Sequence, residues 1–269
     1  MSGDGIDGVA IRATGLSLKG GHGWVYRDAT LDVPVGGLAA IVGEAGSGRT
    51  SLLLTLGGRM RPTEGTLSVL GHTARRRVRR VAALGLVQGV NELDDALSVR
   101  EHLHERLRLR GPEWRPALLR SRPRHDPRLI AETALARAGL DLAALPEADR
   151  TLARHLARDQ RVRLGIALAL LDEPEVLLVD DLGGGLREDR RAGLVSTLRA
   201  LSGQGLTVVA VDTEPLERAA PVLSLPHTAD GLPDGTVGDT SQDTPDGTVE
   251  DAVDGTTGGI PDDAEEDKS

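Results

Sequence analysis

Nine consecutive residues, Gly43-Glu44-Ala45-Gly46-Ser47-Gly48-Arg49-Thr50-Ser51, have the composition and spacing of a loop that holds phosphate. Glycines at 43, 46 and 48 let the backbone curl until successive N–H groups face one point. A helix starting directly behind them adds the positive end of its dipole, so the loop is a nest for an anion. Thr50 stands where a hydroxyl ligates the Mg²⁺ carried by the β- and γ-phosphates of a nucleotide. One position departs from the pattern G-x-x-x-x-G-K-[ST]. Arg49 occupies the lysine place and keeps the charge on a bulkier, planar group that need not reach the same oxygen. Two further chemistry-bearing positions follow apolar runs: Gln88 after Ala83-Leu84-Gly85-Leu86-Val87, and the pair Asp180-Asp181 after Val176-Leu177-Leu178-Val179. Taken alone, a Gln is polar surface and two acids are a helix cap or a solvated turn. Their meaning depends on what surrounds them.

The elements that must position these residues are legible in part. Leu38-Ala39-Ala40-Ile41-Val42 is a strand entering the loop, and Leu52-Leu53-Leu54 opens the helix leaving it, over about 50–58. Upstream, residues 8–19 alternate loosely (Val9, Ile11, Leu16, Leu18) and read as one or two exposed-edge strands, with a further strand over Ala29–Val33. A turn and a short strand are expected over 62–71, and a buried strand over Ala83–Val87 that ends on Gln88. Residues 98–171 read as largely helical, with proline breaks at 112, 116, 123, 127 and 146. Val176–Val179 and Thr207–Val211 are uninterrupted apolar strands, the kind covered by helices on both faces, and a helix over about 187–202 joins them. This alternation predicts an α/β fold with a mostly parallel sheet and its ligand at the carboxyl ends of the strands.

Composition narrows the chemistry. The 269 residues include no Cys and no Phe, and the aromatics are Trp24, Tyr26 and Trp114. The core is therefore aliphatic, and disulfides, thiolate chemistry and Cys-containing zinc sites are excluded. The His residues show no H-E-x-x-H spacing. The first residues lack the basic and apolar regions of a secretory signal, and apolar runs such as Leu164–Leu171 fall far short of a membrane span, so a soluble intracellular chain is expected. The net charge of −9 is unevenly placed: residues 226–269 hold thirteen acids and one Lys, leaving 28 acids and 31 bases in residues 1–225. That segment repeats Pro-Asp-Gly-Thr-Val at 233–237 and 245–249 and has almost no large apolar side chain, which predicts a disordered acidic tail. Its Asp-Gly spacing is too irregular for calcium-binding repeats. The run Arg75-Arg76-Arg77-Val78-Arg79-Arg80 reads as a solvated basic helix face, and no nucleic-acid partner is expected.

The order of these parts resembles that of the ATP-binding subunits of ATP-binding cassette (ABC) transporters, over roughly residues 8–215. The resemblance rests on the phosphate loop, Gln88, a helical stretch, Leu156-Ala157-Arg158-Asp159-Gln160 in the position of the family's signature, and the run Leu170-Leu171-Asp172-Glu173-Pro174 into the acidic strand. It implies a phosphate-loop core with an N-terminal antiparallel β portion and a helical subdomain near 90–160, in a nucleotide-binding domain over 1–225. It also implies ATP and Mg²⁺ as cofactors, a membrane permease as partner, a homodimer or heterodimer of ATP-binding subunits, and a place on the inner face of the cell membrane. Residue by residue, the loop 43–51 would hold the phosphates. Thr50, Gln88 and Asp180 would hold Mg²⁺, Asp181 would polarise the attacking water, and Thr213 would take the place of the switch histidine. Trp24 or Tyr26 would stack on adenine.

Several of these positions differ from the family pattern. The signature, normally Leu-Ser-Gly-Gly-Gln, has Ala157 in place of a hydroxyl, Arg158 where backbone must approach, and Asp159 bringing negative charge toward the phosphate. Asp181 is one methylene shorter than the usual Glu, Arg187 replaces an Asp, and Thr213 cannot share a positive charge. Losing a transition-state donor or misplacing a base costs about two to three orders of magnitude in turnover. The expected function is therefore Mg-ATP binding with slow hydrolysis that energises a transporter. The alternative is a nucleotide-binding scaffold or regulator of a membrane complex that does not hydrolyse. A phosphotransferase of another phosphate-loop class fits less well, because such enzymes carry a short lid after the acidic strand.

Overall fold

The computed structural model describes residues 8–109, 126–216 and 218–226, all within one compact unit, Met1–Leu232. Two sheets form its frame. The first is antiparallel and three-stranded, in the order β2-β1-β4, from β1 (Val9–Gly20), β2 (Gly23–Pro34) and β4 (Glu64–Val69). The second is five-stranded and parallel, in the order β5-β6-β7-β3-β8, from β3 (Leu38–Gly43), β5 (Ala82–Leu84), β6 (Val176–Val179), β7 (Thr207–Asp212) and β8 (Val222–Leu225).

Period-two alternation along the parallel strands divides the core in two. Leu38, Ala40 and Val42 of β3 share one face with Leu177, Val179, Val208 and Ala210. That face is covered by α5 (Arg158–Leu170) and α6 (Glu188–Gly203). Ala39 and Ile41, with Val176, Leu178, Val209 and Val211, point the other way, to α1 (Arg49–Leu56), α2 (Arg75–Val81) and the antiparallel sheet. Both faces are apolar, which is why these strands show no polar alternation in the sequence. Side chains from both helical and sheet layers fill this core without a single Phe.

The stretch near 90–160 contains α3 (Val99–Leu109), α4 (Pro127–Ala138) and three short 3₁₀ turns among its described residues. Ser98 and Glu101 start α3 reciprocally: the Glu101 carboxylate accepts from the Ser98 N–H at 2.8 Å, and the Ser98 hydroxyl accepts from the Glu101 N–H at 3.3 Å. The acidic stretch 226–269, apart from Pro226, and Trp114 lie outside the described residues.

Two expectations about elements are corrected, and one strand is added to them. β1 is the central strand of its sheet and not an edge. Register shifts on both sides of Leu16 break its alternation, which makes one twelve-residue strand read as shorter pieces. The strand before Gln88 ends at Leu84. Gly85 adds one more ladder bond, to the Leu178 carbonyl at 2.7 Å, and the chain then leaves the sheet. β8, which the sequence reading omits, pairs in parallel with β3 as an edge strand of four residues, too short to show a period.

Candidate functional site

The loop between β3 and α1 is held open for an anion by its surroundings. Gly48 has φ 84°, and a Cβ there would lie 2.3 Å from the Val25 carbonyl oxygen, so only glycine lets the loop rest on β2 at this angle. Gly46 also has φ 84°. No side chain caps α1, and its first turn contains no acidic residue. The first helical bond runs from the Leu52 N–H to the Gly48 carbonyl at 2.9 Å, so the N–H groups before it face outward from the helix end. Ser47 is fully buried in this loop, and its hydroxyl has no partner. These features fit a phosphate group and disfavour an ordinary capped βα turn.

Thr50 at the start of α1 meets Asp180 at the end of β6: the Thr50 hydroxyl donates to Asp180 Oδ2 at 2.8 Å. Two oxygens at neighbouring corners of an Mg²⁺ octahedron are about 2.9 Å apart, so this pair already has the separation of two ligands of one ion. No group of three or more His, Cys, Asp or Glu that could hold a metal occurs among the described residues. An ion here would complete its shell from substrate phosphate and water, as Mg²⁺ commonly does. Burial pushes the Asp180 carboxyl above its usual range. The neighbouring Asp181 charge adds to this, while the bonds from Thr50 and the Asp181 N–H oppose it.

The cleft around this pair has a volume of about 660 Å³ and is lined by Gly46, Arg49, Thr50, Gln88, Asp180 and Asp181, and also by Arg158 and Arg161. That is the scale of a small-molecule site. Gln88 reaches it because Gly165 in α5 allows close packing: a Cβ at 165 would lie 2.3 Å from Leu86 Cγ, two residues before the Gln. Asn91 fixes the same segment, accepting from the Val87 N–H at 2.9 Å and donating to the Gly85 carbonyl at 2.6 Å.

Not every expected residue converges here. Thr213 is absent from the cleft lining, and its backbone N–H donates to Asp212 Oδ1 at 2.7 Å. Trp24 also lies off the cleft lining, with the Arg27 guanidinium 4.8 Å and the Lys19 ammonium 5.7 Å from its ring centroid. Tyr26 is a core residue whose hydroxyl donates to Thr55 Oγ1 at 2.7 Å, so it does not stack on adenine. Asp159 is turned inward: both its oxygens accept from Arg190 at 3.1 Å, and the residue is buried. The expectation that it carries negative charge outward to a phosphate is therefore corrected, because α6 supplies its partner.

Two residues to which the sequence reading gives no role organise this end of the sheet. Asp212 ends β7 almost fully buried. Its carboxylate accepts from Arg191 Nε at 2.9 Å, and its carbonyl accepts from the Arg49 guanidinium. Arg191 of α6 also donates to the Glu214 and Pro215 carbonyls at 3.2 Å each. The phosphate loop and α6 are thereby tied to one residue of β7, the loop through its carbonyl and the helix through its carboxylate. A buried acid against a helical Arg many residues away carries no local signature, since the pairing exists only once the layers pack.

A profile of the ABC transporter family matches residues 26–182, more than half of the chain. The macrolide export ATP-binding/permease protein MacB 1/2 of Paracoccus denitrificans is 32% identical over 221 residues, 80% of this chain and 31% of that protein. The chain thus spans less than a third of the MacB length. The arginine transport ATP-binding protein ArtP of Escherichia coli K12 is 32% identical over 217 residues, 77% of this chain and 83% of that one. Among solved structures, the bacterial ABC transporter cassette MJ0796, determined as a dimer, aligns with a TM-score of 0.65 at 22% identity over 82% of this chain and 95% of that one. CbiO1 of Clostridium perfringens, part of the CbiONQ transporter complex, aligns with a TM-score of 0.60 at 18% identity over 78% and 80%. At these identities the structures speak to the fold alone. With the family profile over more than half of the chain and a relative matched over most of that relative's own length, the chain belongs to the ABC transporter family, as an ATP-binding cassette.

Proposed function

We propose that this chain is the ATP-binding subunit of a membrane transporter, binding Mg-ATP in the cleft between the 43–51 loop and the ends of β6 and β7. The observation that carries the reading is the Thr50–Asp180 pair at 2.8 Å beside an uncapped helix start. In this reading the loop N–H groups and Arg49 bind the phosphates, and Thr50, Asp180 and Gln88 hold Mg²⁺. Asp181 orients the water that attacks the γ-phosphate, while Thr213 hydrogen-bonds near it. Mg²⁺, when bound, neutralises charge on the β- and γ-phosphate oxygens. Trp24 is the candidate for adenine, since Tyr26 is taken up in the core. The domain over 1–225 would work as a homodimer or heterodimer of such subunits, docked on an integral membrane permease at the cytoplasmic face. No helix among the described residues is long and apolar enough to cross a membrane.

Hydrolysis is expected to be slow, because Asp181 is short for its task and no histidine stands at 213. A second reading, a nucleotide-gated regulator that does not hydrolyse, is favoured by one observation: Asp181 is engaged in an ion pair with Arg158. Steady-state Mg²⁺-dependent ATP turnover by the purified protein, beside an Asp181→Asn control, separates the two. Turnover that falls about a hundredfold or more in the control supports the transporter motor. Turnover undetectable in both proteins, with ATP still bound, supports the regulator.

A further inference from the structure

The first residue of α5 faces its own chain's strand end. Arg158 Nε donates to the Gly184 carbonyl, and one of its terminal nitrogens donates to the Asp181 carbonyl at 3.2 Å. The same nitrogen forms an ion pair with Asp181 Oδ2. The guanidinium fork therefore holds the 181–184 turn at both ends. The whole carboxylate lies over Gly184, where an added Cβ would be 2.3 Å from Asp181 Oδ1 and 2.6 Å from Oδ2. The Asp181 carboxylate is thus held between a cation and side-chain-free backbone. Asp181 itself has φ 44°, a conformation that neighbouring contacts must maintain in a residue with a side chain. To polarise a water, a carboxylate needs an accessible lone pair directed at it.

We propose that Arg158 is a positioning residue that latches Asp181, and that the γ-phosphate of a bound nucleotide releases it. Both residues line the cleft that contains Thr50 and Asp180, so an incoming phosphate competes for the guanidinium at short range. The pair is half-exposed, with 45% and 59% of the two side chains accessible, which makes it weak enough to exchange partners. The replacement of a small signature residue by Arg thus acts within one subunit, on the timing of hydrolysis. The proposal rests on the reading of Asp181 as the water-polarising group.

The test is Mg-ATP turnover by the full chain as wild type, Arg158→Ala, Arg158→Lys and Asp181→Asn, at saturating ATP and over a range of salt. Arg158→Ala is expected to raise kcat about three- to fivefold, the scale of an exposed ion pair, with KM unchanged within about twofold. Arg158→Lys retains the charge but loses the fork, so it should fall between the two. Wild-type kcat should rise with salt as the pair is screened, and Arg158→Ala should not. A merely structural Arg158 would lower kcat in the Ala variant and give no such difference in salt response. If Asp181→Asn abolishes turnover and Arg158→Ala leaves it equal or lower, the latch is wrong and the role of Asp181 stands. If Asp181→Asn leaves turnover unchanged, the role of Asp181 fails and the latch fails with it. Should wild-type turnover be undetectable, turnover must appear in Arg158→Ala, and its absence overturns the proposal.

Discussion

Asp180 shows at the scale of one residue how the site costs stability. Its carboxyl is buried and pushed above the ordinary carboxylate range in the folded chain. The folded state then binds the proton more tightly than the unfolded state does, so stability is lost as pH rises from the unfolded value through the folded one. Asn accommodates both existing bonds, accepting from the Asp181 N–H and donating to Thr50, without the charge. Asp180→Asn is therefore expected to raise the thermal midpoint of the metal-free protein at neutral pH and to flatten its pH dependence, while removing the effect of Mg²⁺ on ATP affinity. A lower midpoint in calorimetry would contradict this account. The residue's place was legible because an acid after an apolar strand and a threonine after a phosphate loop each have a local motif. Arg191, Asp212 and the inward turn of Asp159 were not legible, because their partners are supplied by other elements at long range.

At the scale of elements, the site depends on close packing of one helix against one segment. Gly165 is where α5 admits the chain that leads from β5 to Gln88. Gly165→Ala would drive a methyl group into Leu86 and is expected to cost about 1–3 kcal/mol by overpacking. It should also displace Gln88, so Mg-ATP affinity falls along with stability. Urea unfolding and nucleotide titration of one preparation measure both, and an unchanged stability would show that the segment gives way freely. Long apolar strands such as β3, β6 and β7 were readable because burial on both faces leaves a continuous aliphatic run. β1 and β8 were not, the first because bulges scramble its period and the second because four residues define none.

For the whole molecule, two apolar layers on opposite faces of one parallel sheet bring three distant stretches, 43–51, 85–88 and 180–181, to a single end. The resemblance named these stretches by their order along the chain, while the strand order that brings them together has no local pattern in the sequence. The measurement that bears most directly on the central claim is calorimetric titration of ATP into wild type and Thr50→Ala, with Mg²⁺ and with chelator. The account expects binding by wild type that Mg²⁺ strengthens, and a loss of about tenfold or more in Thr50→Ala, the effect reported for a disturbed metal shell, seen only when Mg²⁺ is present. ATP binding that is absent from the wild type, or that is equally tight in both proteins under both conditions, would contradict the assignment of this cleft as a Mg-ATP site.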